Sequence, residues 1–173
     1  MTISLYDATI PGFQQGINAG VGLLAKAEKY CADNGQEPSA LLDAKLADDM
    51  LPFGYQIKAL WQHSTMAIDG VRAGVFSPDR SPWPTSFVGL NDGLTSALEE
   101  LAAVTAEELS SFVGRDMAFV MGERRMEFTA DGFLMSFSKP NFYFHLTTAY
   151  AIMRNKGVSV GKMDFLGRPR LKG

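Results

Sequence analysis

Histidine is the side chain whose ordinary pKa lies nearest neutrality, which suits it to acid–base work and to metal ligation. This sequence has only two, His63 and His145. Both fall in stretches with helical spacing. At about 100° per residue, Asn141, His145, Thr148 and Ile152 share one narrow face of a helix, and Tyr143, Thr147, Tyr150 and Arg154 share the opposite one. The face with Ile152, flanked by Ala149 and Phe144, is expected to be the buried one, so His145 is expected to point into the protein. A buried polar group without a partner costs roughly 1–3 kcal/mol, so His145 needs one. His63 lies about 100° from the centre of its own helix's apolar stripe and borders the core, facing either a cleft or water. Two readings stay open. In the functional one, His63 and His145 oppose each other as ligands or as acid–base groups, with Asn141 and Thr148 beside them to orient a small molecule. In the bland one, His145 is a hydrogen-bonded core residue and His63 a surface residue.

Other chemistry-bearing residues are weaker candidates. Asp48-Asp49 reads as a helix cap rather than a paired-carboxylate site. Glu99-Glu100 and Glu107-Glu108 read as solvated faces and caps, and no glycine loop matches a phosphate cradle. Cys31, the single cysteine, has no base near it in sequence and excludes an intrachain disulfide, which points to a reducing compartment. The net charge of −3, with both signs interleaved, gives no nucleic-acid footprint. No stretch is long and apolar enough to span a bilayer, and Met1–Asp7 lacks the pattern of a signal peptide. Cytoplasm is the expected location.

The elements that must position the histidines follow from apolar spacing. A chain of 173 residues suits one domain, expected to be all-α over 1–173. Ile3, Tyr6, Ile10, Phe13, Ile17, Val21 and Leu24 alternate steps of three and four, which predicts a first helix ending at Asp33-Asn34-Gly35. Pro11 predicts a kink, or an irregular turn before a helix starting near Thr9. After a crossing loop over 38–49, a second long helix is expected, capped by Asp48 or Asp49, with the stripe Phe53, Ile57, Leu60, Ser64, Ile68 and Val71. The Pro-rich loop 77–84 precedes a third helix, capped by Thr85 or Ser86, with the stripe Phe87, Leu90, Leu94, Leu98 and Leu101. Thr105–Glu108 predicts a short extra helix. Period-two alternation from Met117 to Phe128 around Gly122-Glu123 predicts a small β-hairpin. Thr129 or Asp131 then opens the last helix, kinked or divided at Pro140 and stopped at Gly157. Four amphipathic helices with one hairpin make a four-helix bundle the expected architecture. The Tyr143, Tyr150 and Arg154 face is rich in interface residue types and predicts a two-fold homodimer, unless the hairpin or C-terminal tail covers it.

Three segments carry a family resemblance: Ile3 to Pro11, Pro140-Asn141-Phe142-Tyr143-Phe144-His145 with its continuation to Ile152, and Gly161 to Gly167. They resemble a bacterial domain-of-unknown-function family, numbered 1993, that is grouped with DinB-like (YfiT-like) metalloenzymes. The resemblance implies a bundle in that superfamily's mirror variant of up-and-down topology, and often a dimer. It also implies a divalent metal, zinc or nickel, held by one histidine of the second helix and two histidines four apart on the last. Carried across, His63 and His145 are two of these ligands, and the third position holds Asn141. Relatives with known activity are metal-dependent hydrolases and thiol-using transferases or isomerases. An amide oxygen is a weak neutral donor for zinc, which prefers thiolate, imidazole or carboxylate. The site is therefore expected to be a small-molecule pocket between the second and last helices with no tightly bound metal. A non-catalytic dimeric binding or stress-associated module is the competing reading.

Overall fold

The computed structural model describes residues 3–172. Met1 and Thr2, included in the reading of the N-terminus, and Gly173 lie outside the described residues. The first helix, α1 (Leu5–Asp33), starts four residues before Thr9, because Ser4 and Asp7 form a reciprocal capping box that satisfies its first N–H groups. Pro11 is accommodated inside it. A short α2 (Ser39–Leu42) follows, opened after Pro38.

The second long helix is in fact two, α3 (Phe53–Gln62) and α4 (Thr65–Ala73), and it begins at Pro52 rather than at an aspartate cap. The break sits at His63-Ser64. Ser64 leaves helical geometry (φ −123°, ψ −84°), and the Ser64 and Thr65 hydroxyls donate back to the Leu60 and Trp61 carbonyls. Such hydroxyls offer the backbone an alternative partner, which is how Ser-Thr pairs bend helices. The apolar stripe still holds on both sides of the break, with Phe53, Ile57, Leu60, Ile68 and Val71 all buried.

Gly74, in left-handed geometry, turns the chain into a strand absent from the sequence reading, β1 (Val75–Phe76). After the Pro-rich loop come α5 (Phe87–Ala103), capped by Ser86, and α6 (Ala106–Phe112), capped by Thr105. The hairpin forms as β2 (Asp116–Met121) and β3 (Arg124–Thr129). β1 pairs parallel with β2 in the register Val75↔Ala118 and Phe76↔Phe119, making a three-stranded sheet.

Thr129 caps α7 (Ala130–Gly132), which continues through a π-helical segment, Phe133–Ser138, into α8 (Lys139–Asn155). Pro140 lies in the first turn of α8, directly after the change from π to α geometry. It lacks the N–H that would bond the carbonyl one turn back, and the wider π turn before it takes up that mismatch. A last short helix, α9 (Lys162–Leu166), was not expected.

The long helices pack as neighbours in a ring, α1 against α5 and α8, and α3 against α5 and α8. Among the described residues no helix is long and apolar enough to cross a membrane. The C-terminal segment meets part of the Tyr143, Tyr150 and Arg154 face: Phe165 of α9 lies edge-on to the Tyr150 ring at 6.1 Å, and Arg154, itself exposed, donates to the Val160 carbonyl at 2.8 Å.

Candidate functional site

Two helix irregularities meet at the site. The break after α3 frees the His63 carbonyl from helical bonding, and Ser138, at the end of the π segment, donates its hydroxyl to it at 2.9 Å. This bond joins the two helices that carry the histidines. His63 is buried, contrary to the reading that put it at the surface or a cleft edge, and His145 is buried as expected. Their rings stack 11° from parallel with centroids 5.5 Å apart.

The surroundings are aromatic. The His63 ring lies 6.1 Å from Phe76 of β1 and 6.2 Å from Phe137 of the π segment. Phe76 also packs on Phe119 and Phe133, so the small sheet forms the wall behind His63. The His145 ring takes edge contacts from Tyr55 at 5.8 Å and Phe144 at 5.2 Å, and Tyr55 in turn meets Trp83 of the Pro-rich loop at 5.5 Å. That loop is held by Lys58, whose buried ammonium pairs with Asp79 at 2.7 Å and donates to the Ser81 carbonyl at 2.7 Å.

Both rings are held neutral. Desolvation, together with the neighbouring His145, lowers the His63 pKa to about 3. Desolvation alone lowers that of His145 to about 4. His145 Nδ1 has the partner its burial demanded, Gln56 Oε1 at 2.7 Å. His63 Nδ1 has none, and neither does Gln62 Oε1 next to it. Buried polar atoms are paired in the great majority of cases, so an orphan marks a function, a water or a ligand.

Gln56 is the residue the sequence reading missed. It sits two turns before His63, so the two share one face of α3, and a glutamine there amid apolar neighbours was the available signal. Asn141 and Thr148 do share the His145 helix, but the Asn141 nitrogen and the Thr148 hydroxyl donate to their own helix. Asn141 Nδ2 donates to the Phe137 carbonyl at 2.7 Å, and Thr148 Oγ1 donates to the Phe144 carbonyl at 2.8 Å. A groove of about 650 Å³ lies between α1 and the C-terminal segment, lined by Gln15, Asn18, Met163 and Arg168 among others, with neither histidine in its wall.

The comparisons agree with this architecture. The model of the family "Domain of unknown function (DUF1993)" matches residues 5–166. The chain belongs to that family. A crystal structure of a DinB family member protein from Shewanella denitrificans is similar, with a TM-score of 0.81 and 23% identity, covering 98% of this chain and 95% of that one. At this identity the likeness shows a DinB-like fold. No curated protein matches.

The metal that the fold family implies can be tested against the donors present. Two imidazoles on one zinc ion must aim their in-plane lone pairs at a common point about 2.0–2.1 Å from each, which the 5.5 Å spacing of the nearly parallel His63 and His145 rings does not by itself provide. The rest of the donor set does not fit either. The Asn141 amide is turned to its own helix, and among the described residues no three His, Cys, Asp or Glu gather. Catalytic zinc normally keeps three good protein ligands. These residues do not fit a resident catalytic zinc or nickel ion.

Proposed function

We propose that His63 and His145 are the working groups of a small-molecule site in a DinB-like four-helix bundle of the mirror topology. The site retains two positions of a metal centre and operates without a resident metal. The observation that carries this reading is the buried, stacked histidine pair with an unpartnered Nδ1 on His63. A neutral imidazole presents a bare nitrogen lone pair, which can accept a hydrogen bond from a bound hydroxyl, thiol or N–H group and orient it. If the site is catalytic, hydrolysis or thiol transfer at a carbon or carbonyl centre is the chemistry within its reach. No charged side chain is needed for that, and the ring contacts are aromatic.

The test begins with protein purified without a nickel column, in which metal content is measured directly. Small fragments are then titrated against protein carrying labelled histidine rings. Fragments should shift both ring signals, and each single variant, His63→Leu or His145→Leu, should weaken the shift at the histidine that remains in a folded protein. A second reading, a non-catalytic binding or stress-associated module with structural histidines, has its own support. His145 Nδ1, the Asn141 side-chain nitrogen and the Thr148 hydroxyl are all bonded within the chain. Rings that stay silent to every fragment at millimolar concentration favour that module.

A further inference from the structure

The polarity of the site is set from outside the histidine pair, by Gln56. Its side chain is buried, with 2% of the residue exposed, and it makes two hydrogen bonds of opposite sense. Nε2 donates to the Leu51 carbonyl at 2.8 Å, and Oε1 meets His145 Nδ1 at 2.7 Å. A carbonyl only accepts, so the amide nitrogen must face Leu51. Turning the amide over would set two oxygens against each other. The amide oxygen therefore faces His145, and it too only accepts, so His145 Nδ1 must carry the proton. A neutral imidazole has one N–H, which leaves Nε2 with a bare lone pair on the side of the ring away from Gln56.

We propose that Gln56 is a positioning residue that locks His145 in its Nδ1–H form, and that the site therefore takes an uncharged aromatic molecule bearing a hydroxyl or N–H donor. This rests on the reading of the pair as a ligand site. With its only N–H consumed by Gln56, His145 has nothing to offer a carboxylate or phosphate. Lys58, the buried cation of the same helix, is spent on Asp79 and Ser81. The body of the ligand follows from the side chains around His145. Tyr55 and Trp83 are half-buried, and Phe144 stands 57% exposed with its ring against the histidine. A large aromatic side chain left that open beside a buried polar ring is the surface an aromatic ligand would cover.

Protein labelled with ¹⁵N in its histidine rings, observed through two-bond proton–nitrogen correlations, tests both halves. Wild type should show His145 with a protonated Nδ1 and a bare Nε2. Gln56→Leu should release it to a mixture of tautomers. Phenol should move the Nε2 signal of His145 at millimolar concentration, whereas benzoate and toluene should not. Gln56→Leu should weaken phenol about tenfold, the scale of one hydrogen bond. A wild-type His145 protonated at Nε2 overturns the assignment to Gln56, even if fragments bind. The expected tautomer with benzoate or toluene responding as strongly as phenol overturns the ligand class alone. Silence to all three probes and to any wider set of fragments overturns the ligand-site reading beneath them. Should Gln56→Leu fail to fold, wild type alone still decides both the tautomer and the ligand.

Discussion

The rings of His63 and His145 face each other 11° from parallel at 5.5 Å, one at the end of α3 and the other in the middle of α8. Both are neutral in the folded protein, with pKa values lowered to about 3 and about 4 by burial. In the unfolded chain each returns to about 6.5, so below that pH the unfolded state binds more protons than the folded one. Stability is therefore fully present above about pH 6.5 and falls as the pH drops toward the folded values. At pH 5 the loss is roughly 2 kcal/mol per histidine. With only two histidines in the chain, the window between pH 6.5 and 5 belongs to this pair. Urea unfolding across that window should show the loss, and His63→Leu with His145→Leu should flatten it. An unchanged slope in the double variant would refute burial of the rings.

The pair itself was partly legible in the sequence. The narrow face of Asn141, His145, Thr148 and Ile152 pointed His145 inward from periodicity alone, and the structure buries it. His63 was misplaced for a physical reason. Its angle was measured on a continuous second helix, and the Ser64-Thr65 break changes the course of the backbone at that point. Ser64 was counted as a member of the apolar stripe, when its hydroxyl was the cue for the break. The use of Asn141 within its own helix and the grip of Gln56 on His145 depend on rotamers and on the π turn, which spacing does not encode. β1 is two residues long, too short for any period to register.

Lys58 and Asp79 should respond unequally to substitution. Lys58 is 3% exposed and Asp79 31%, so their losses strand different charges. Asp79→Asn leaves an ammonium buried without its counter-ion and should cost about 3 kcal/mol. Lys58→Met leaves a carboxylate that water can reach and fills the space with apolar volume, so it should cost about 1 kcal/mol or less. Denaturant midpoints measure both, and equal costs would contradict the account. The loop carrying Trp83 should loosen in both variants, read as a change in tryptophan fluorescence.

The packing of α8 on α1 depends on Gly16. A Cβ there would stand 2.5 Å from Phe142 Cε1 and 2.7 Å from its Cζ. The Phe142 ring has no room to yield, since Phe13 and Tyr143 flank it at 5.0 and 5.3 Å. Gly16→Ala should therefore destabilise by about 1–3 kcal/mol, despite the better helix propensity of alanine. Gly22, on the same helix, meets nothing within 4 Å, so Gly22→Ala should gain up to about 1 kcal/mol. Thermal or urea unfolding of the two variants should move in opposite directions. A shift of the same sign in both would mean that helix propensity, and not the Phe142 contact, governs position 16.

Asn141 is the position at which a third imidazole could join the histidine pair. Its amide nitrogen now donates to the Phe137 carbonyl, while the two histidine rings lie 5.5 Å apart between α3 and α8. Asn141→His places a third imidazole one turn before His145 on α8, and an imidazole is a far better donor to zinc than an amide. Zinc or nickel binding should appear in the variant, or tighten by at least about a hundredfold, and weaken as the pH falls because protons compete for the rings. The melting temperature of the variant should then rise with the logarithm of free metal, since only the folded chain assembles the ligands. Wild type should show little of either effect. One obstacle works against the gain, since the new ring must turn away from the backbone of its own helix. The bond of His145 Nδ1 to Gln56 is no hindrance to ligation, because a metal-bound histidine commonly donates its other nitrogen to a neighbouring oxygen. Titration calorimetry on the two proteins decides the matter. Equal, weak binding by both, with each folded, would mean that the third position does not converge on the histidine pair.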